Sequence, residues 1–425
     1  MLVSPVRGQE RLRMDELQKK GSLRLKWAYE HMPVMKEIDQ RLRKERPFEG
    51  VKIGMALHTE AKTGILALTL AAGGAKVRLA SCNPLSTDDS VVLALREEYS
   101  LEVHAKKGET QEEYYSNLNK VLDLKPDMII DDGADVITMV HTSRRDAIKG
   151  VKGANEETTT GVVRLKAMAA SNKLEFPVIS VNDAQMKFLF DNRYGTGQSV
   201  FDGWMNSTNL VIAGKRLVVA GYGWCGKGIA MRAKGLGASV AVCETDPIKA
   251  IEARMDGFEV MRMIDAAKEA DMIITATGCK DVVREEHLKV MKGGCIMGNA
   301  GHFDNEICKK DMERMAVTVS NVREYIDEFK MKDGRKLYLI AEGRLMNLAA
   351  GQGHPVEIMD TSFAAQALSM EYILNNSSKM ENRVYDVPNS IDTDIANIKL
   401  RSLGIEIDSL TEEQKRYMNS WEEGT

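Results

Sequence analysis

The chain has 425 residues, and its 58 Lys and Arg against 62 Asp and Glu give a formal charge of −4, a near balance that excludes a generic polyanion binder. With 44% hydrophobic and 28% charged residues it can bury large cores and is not disordered, and its length suggests two or three domains. The longest mostly apolar stretch, 64–74, is too short to span a bilayer, and the N-terminus carries scattered charges in place of an apolar signal core. A cytoplasmic protein with neither a membrane nor a nucleic-acid partner is therefore expected.

Residues 1–45 place Leu25, Trp27, Ala28, Met32, Met35 and Ile38 at helical spacing in a Lys/Arg/Glu-rich background, which predicts helix. From residue 51, short β-branched runs (51–56, 77–81, 127–131, 176–180) alternate with amphipathic stretches, the pattern of parallel βαβ units. A second series follows at 216–221, 239–244, 258–261, 271–278 and 294–301. Ala, Leu and Met dominate 361–382, which predicts a long helix, and 394–421 predicts a short helical tail opened by Thr411 as cap with Gln414 three positions on. The fold class is α/β, with two doubly wound parallel sheets in succession. Six cysteines (82, 225, 243, 279, 295, 308) stand without a CxxC pair and read as reduced thiols.

The clearest local signal is RLVVAGYGWCGKGIAMRAKGLGASVAVCETDP (216–247). A strand runs into Gly221-x-Gly223-x-x-Gly226, then a helix, then a second strand ending at Glu244. Gly221 permits a tight turn, Gly223 admits a pyrophosphate to the backbone, and Gly226 allows close helix packing beside the unpaired N–H groups of a helix start. Glu244 suits the two hydroxyls of an adenosine ribose and would repel a 2′-phosphate, so this Rossmann-type unit favours NAD over NADP.

Other polar groups gather at strand ends, where open α/β sheets place their ligands: His58, Asp131, Asp132, Glu156, Glu157, the threonines 158–160, His302 and His354. Lys187 and Asp191 share a helix face and, taken alone, read as a solvated ion pair. Each histidine alone reads as a surface or structural residue, but three at strand ends exceed chance. No HExxH, paired CxxC or GxSxG is present, so zincin, zinc-ribbon and serine-hydrolase readings fail and no metal site is expected.

NPLSTDD, DDGAD, EETTTGV, KFLFDNRYG, VAGYGWCGKG, NAGHFDNEI, AEGRLMNLAAGQGHP and the terminal EEQKRY occur in order, and with them the chain closely resembles the S-adenosylhomocysteine hydrolase family over about residues 27–417, in its archaeal and thermophilic-bacterial branch. The resemblance implies a substrate domain (1–187 and 353–392) split around an inserted NAD domain (195–350), with an oligomerisation tail (393–425) and a homo-oligomer, a tetramer. It implies reversible NAD-dependent hydrolysis of a nucleoside thioether by 3′-oxidation, elimination, water addition and re-reduction, with no net redox change.

Residue by residue, the resemblance assigns catalysis to His58, Asp132, Lys187, Asp191, Asn192 and His302. Lys187 would be the base for the 3′-hydroxyl, a role suited to a lowered pKa. Substrate contacts carry over to Glu60, Lys62, Thr63, Glu157, Lys187, Asp191, Asn347 and His354. NAD contacts carry over to Thr158, Thr159, Thr160, Asn192, Gly221, Gly223, Gly226, Glu244, Asn299 and Tyr417.

Three positions depart from the commoner pattern. Thr196 replaces a Cys after NRYG, and Glu413 replaces a Lys that reaches a neighbouring subunit's NAD, although Tyr417 is retained. Lys62 replaces a Glu or Gln that accepts from the adenine amino group, and a lysine cannot accept. Glu60 as acceptor and Lys62 as donor would complement hypoxanthine, so S-inosyl-L-homocysteine is an alternative substrate. Adenine still binds if Glu60 and Lys62 pair with each other. A 2-hydroxyacid dehydrogenase would leave DDGAD and KFLFDN unexplained, and a non-catalytic nucleotide sensor would be expected to lack Lys187, Asp191, His58 or Asp132.

Overall fold

The computed structural model describes residues 5–421, with side chains from Leu12 onward. Helices Pro5–Glu30 and Pro33–Glu45 come first. Pro33 opens the second, where a missing N–H costs nothing, and Arg46 closes it in the left-handed region with its N–H on Leu42 O. Val34, Met35, Ile38 and Leu42 form its buried stripe.

Fifteen strands follow among the described residues. In chain order they are β1 (Lys52–Ala56), β2 (Lys76–Ala80), β3 (Glu102–His104), β4 (Met128–Asp131), β5 (Gly153–Glu156), β6 (Val178–Ser180), β7 (Arg216–Ala220) and β8 (Ser239–Cys243). The rest are β9 (Glu259–Val260), β10 (Met272–Thr275), β11 (Ile296–Asn299), β12 (Ala316–Arg323), β13 (Ile326–Met331), β14 (Lys336–Ile340) and β15 (Val384–Asp386). They form a seven-stranded sheet, β15-β6-β5-β4-β1-β2-β3, and an eight-stranded sheet, β12-β13-β14-β11-β10-β7-β8-β9. The first is parallel throughout, and only the β12–β13–β14 pairings of the second are antiparallel. Central strands such as β4 (MIID) and β10 (MIIT) are buried at every position, because helices cover both faces.

Each sheet reverses its winding once, between β1 and β4 in the first and between β7 and β10 in the second. Crevices for ligands open beyond the carboxyl ends of strands at such points. The long helix starts earlier than its composition predicts, at Val356 directly after Pro355, and ends at Asn376. It packs into the first core through Phe363, Ala364, Ala367 and Met370. Helix Asn389–Ser402 runs through the expected boundary at 392/393, and buried Ile391 and Ile395 make it part of the same core. Continuously exposed chain begins at Arg401, and Thr411 and Gln414 form the expected capping box for helix Glu412–Met418.

Candidate functional site

One cleft of about 1220 Å³ joins the two crevices, which is room for more than one small ligand. The first sheet contributes His58 beyond β1, Asp132 beyond β4 and Glu157 beyond β5, while Lys187, Asp191 and Asn192 arrive on the crossing into the second sheet. His302 enters from the end of β11, and His354 from the loop before the long helix.

At the first crevice His58 Nε2 lies 3.3 Å from Asp132 Oδ2, and His302 Nδ1 lies 3.6 Å from Asp132 Oδ1. Gly133, at φ +101°, makes room for the His302 ring, which a Cβ there would strike. The tautomer of His58 follows from its neighbours. Ser86 Oγ donates to Asn83 O at 3.1 Å, so it accepts from His58 Nδ1–H at 2.7 Å, and Nε2 is left with a lone pair. Burial, opposed by Asp132, pushes His58 down to about 4, so the ring is neutral.

Lys187 is buried beside four carbonyl or carboxylate groups. Its Nζ donates to Asn192 Oδ1 at 2.9 Å and Asn182 Oδ1 at 3.2 Å, with Glu157 Oε1 at 3.5 Å and Asp191 Oδ2 at 3.7 Å. Asp191 is fixed in turn by His354 Nδ1 at 2.6 Å and by the Ser362 hydroxyl at 2.9 Å, and Gln366 Nε2 donates to Glu157 Oε2 at 2.5 Å. Burial alone would lower the Lys187 pKa, yet Asp191, Glu157 and Asp132 outweigh it and hold the ammonium above its ordinary value. This corrects the expected lowered lysine, because Glu157 and Asp132 join Asp191 around it only in the folded chain. Burial pushes Glu157 up to about 8 against the pull of Lys187. Two buried oxygens, Glu157 Oε1 and Asn347 Oδ1, have no hydrogen-bond partner, as groups awaiting ligand hydroxyls would be.

The second crevice is built from backbone. Gly221 turns the chain at φ +95°, a Cβ on Gly223 would meet nothing within 4 Å, and a Cβ on Gly226 would run into the Gly221 carbonyl. Helix Trp224–Gly235 starts here without a side-chain cap, as does helix Thr159–Ala170 with Thr158–Thr160, so both N-termini are open toward an anionic ligand. Glu244 accepts from the backbone N–H groups of Tyr222, Thr245 and Asp246 at 2.7, 2.7 and 3.1 Å. Although burial opposes its charge, those donors keep its pKa below the ordinary value. Open glycine, free helix starts and a fixed carboxylate at the second strand's end fit a dinucleotide with a free ribose diol.

Some expected residues stand away from the cleft or are paired with each other. Asn299 does not line the cleft. Its Nδ2 donates to Gly301 O, Phe303 O and Gly343 O, while Oδ1 accepts from Gly301 N and Thr275 Oγ1, so it shapes the loop carrying His302. Tyr417 stands 54% exposed on the tail, outside its own chain's cleft. Lys62 Nζ bonds Glu60 Oε2 at 3.1 Å and Gln352 O at 3.1 Å, and Glu60 also caps its helix through Lys62 N and Thr63 N. The expected pair of base-reading groups is thus closed on itself. Thr63 Oγ1 donates to His58 O at 2.6 Å, which fixes the turn that carries the histidine.

The sequence reading missed Asn182, Ser86, Ser362, Gln366 and Glu306. Glu306 lies in the quoted NAGHFDNEI run and accepts from Thr277 N at 3.0 Å and Gly278 N at 2.7 Å, which holds the loop after β10 at the cleft. Its only signal was an acid within a motif, as Ser86 is a serine within the quoted NPLSTDD run; the other three are ordinary polar residues on helices and loops.

The family described as "S-adenosyl-L-homocysteine hydrolase" matches residues 13–149, and its "NAD binding domain" matches residues 192–353. An adenosylhomocysteinase of Thermoplasma volcanium is 59% identical over 406 residues, 96% of this chain and 99% of its own. An S-inosyl-L-homocysteine hydrolase of Methanocaldococcus jannaschii is 56% identical over 409 residues, 96% and 98%. An adenosylhomocysteinase of Pyrococcus abyssi is 57% identical over 405 residues, 95% and 96%.

Proposed function

Because the chain belongs to the S-adenosyl-L-homocysteine hydrolase family, we propose that it reversibly hydrolyses S-adenosyl-L-homocysteine to adenosine and L-homocysteine, with NAD held in the β7/β10 crevice. The observation that carries this reading is a buried Lys187 set between Asp191 and Glu157 where the two crevices meet. Bound NAD supplies a hydride acceptor for the ribose 3′ carbon, and a carbonyl there makes the adjacent 4′ C–H acidic.

The chain's own residues divide the remaining work. The Lys187 ammonium, oriented by Asn182 and Asn192, stabilises negative charge on the 3′ oxygen. It becomes a base only after its proton passes to a neighbouring carboxylate. Glu157 Oε1 and Asn347 Oδ1 accept the ribose hydroxyls. His58 Nε2, with its lone pair free, takes the 4′ proton, and Asp132 beside it handles the proton needed by the departing thiolate and the incoming water. His302 from the second sheet and His354 from the loop before the long helix close over the nucleoside, and Thr158–Thr160, Gly223 and Glu244 hold the cofactor.

The substrate base is adenine in this reading, since Glu60 and Lys62 already answer each other and nothing in that corner favours the inosyl thioether. The exposed tail, with Leu403, Ile405, Ile407 and Tyr417, covers a second copy of the chain and brings Tyr417 toward that copy's cofactor. Ending the chain at residue 402 should lower the oligomeric state in sedimentation.

The test of the reaction is to add adenosine to purified holoprotein and follow nicotinamide absorbance. Reduction of bound cofactor with no NADH released to solvent is expected. Stoichiometric release of NADH would instead indicate an ordinary dehydrogenase.

A further inference from the structure

Apart from the proposed hydrolysis, three side chains at the first crevice have the makings of a metal centre. His58, Cys82 and Asp132 each offer a ligand atom, and all three atoms lie within 4.8 Å of one another. We propose that they form a binding site for a borderline-soft divalent cation of the Zn²⁺ type, and that occupancy of this site shuts down turnover.

The spacing fits such an ion. Ligand bonds of about 2.0–2.2 Å for nitrogen and oxygen and about 2.3 Å for sulfur, at tetrahedral angles, put N and O donors about 3.4 Å apart and S and O donors about 3.6 Å apart. His58 Nε2 and Asp132 Oδ2 are separated by 3.3 Å, and Cys82 Sγ and Asp132 Oδ2 by 3.5 Å. Those are two edges of a coordination tetrahedron, whose fourth corner a water would complete.

Lone-pair directions agree with the spacing. Because Nδ1–H of His58 is committed to Ser86 Oγ, Nε2 faces Asp132 Oδ2 with a lone pair against a carboxylate. A second hydrogen bond that fixes the tautomer is the usual support of a metal-bound histidine. The Cys82 thiol donates weakly to the same oxygen and so places its proton in that gap. A cation replaces that proton: Cys82 S–H ionises, the thiolate, Nε2 and Oδ2 bind, and one proton leaves for each ion bound, with no change of oxidation state. Hard Mg²⁺ and Ca²⁺, which take oxygen ligands, are excluded by a sulfur and a nitrogen in the set.

That binding stops turnover rests on the roles given above to His58 and Asp132; the binding itself does not. The experiment uses chelator-washed holoprotein titrated with Zn²⁺ against a chromophoric chelator, and separately with Co²⁺ read by its visible spectrum. One ion per chain, a thiolate-to-cobalt band and the intense d–d absorption of a four-coordinate site are expected. Cys82→Ser should weaken Zn²⁺ binding at least about tenfold and remove the thiolate band. Inhibition by Zn²⁺, expressed against each variant's own metal-free rate, should weaken by the same factor, and adenosine added first should protect. Absence of a stoichiometric site, or a Cys82→Ser variant that binds and is inhibited as tightly as the parent, overturns the proposal. Binding at the three ligands with turnover unaffected overturns the inhibitory half and, with it, the roles of His58 and Asp132.

Discussion

The two switch points share one architecture and use it in opposite ways. At β1/β4 the crevice is filled with buried ionisable side chains set against one another: the neutral His58 beside Asp132, and the Lys187 ammonium between Asp191 and Glu157. At β7/β10 it is lined by glycine backbone and uncapped helix starts, with Glu244 fixed by three backbone donors. The first arrangement suits the movement of protons, because its side chains are desolvated and share charge. The second grips a ligand without reacting with it. Damage to the first should therefore appear in kcat, and damage to the second in cofactor retention.

Lys187→Met is the sharpest attack on this contrast. Turnover should fall by about 10³-fold or more while bound NAD per chain stays near the parent's, as read by steady-state rate and by cofactor released on denaturation. Leaving Asp191 and Glu157 without their cation should also destabilise the fold by about 3 kcal/mol in denaturant titration. If the variant loses its NAD together with its rate, the division of labour between the crevices is wrong.

Glu244→Ala strikes the other side. It should weaken NAD binding by about 10–100-fold through the lost ribose contact and three unsatisfied N–H groups, with kcat at saturating NAD within about threefold of the parent. Dialysis followed by NAD titration measures both quantities.

The pH profile separates them further. With His58 held at about 4, the acid limb of kcat/KM should bend near that value, not at the ordinary histidine value near about 6.5. Between these two pKa values the unfolded chain binds the extra proton, so the contribution of His58 to stability is present above about 6.5 and is lost as pH falls toward about 4. An acid limb near neutrality would mean that the imidazole is solvated during catalysis.

Lys62→Gln should have the smallest effect. Since Lys62 is tied to Glu60 and Gln352, the ratio of kcat/KM for S-adenosyl- and S-inosyl-L-homocysteine should change by less than about tenfold. A reversal of preference would show that the lysine reads the base after all.

The strands with β-branched runs, from VKIGMA to GCIMGNAG, were legible because strands buried on both faces read as continuous apolar segments. β5 was not, since GANE is buried yet polar, and its Asn155 is satisfied by Gln366 from the far end of the chain. β12 was hidden too, being exposed along almost its whole length. The principal site residues could be read from strand ends and from motifs. Their supports could not, because Ser362 and Gln366 lie 171 and 209 positions from the carboxylates they hold. The charge state of Lys187 was misjudged for the same reason: Asp191 is visible at i+4, but Glu157 becomes its neighbour only in the folded chain.

The return of the chain to its first sheet has a consequence for synthesis. β7–β14 are contiguous, so the nucleotide-holding half can close on itself while the ribosome is still translating. The half that opens the sequence cannot, because its core waits for helix Val356–Asn376, for β15 as an edge strand and for Ile395. The domain begun first is the last to be finished, and the ionisable groups of its crevice are brought into register only after the cofactor's seat already exists.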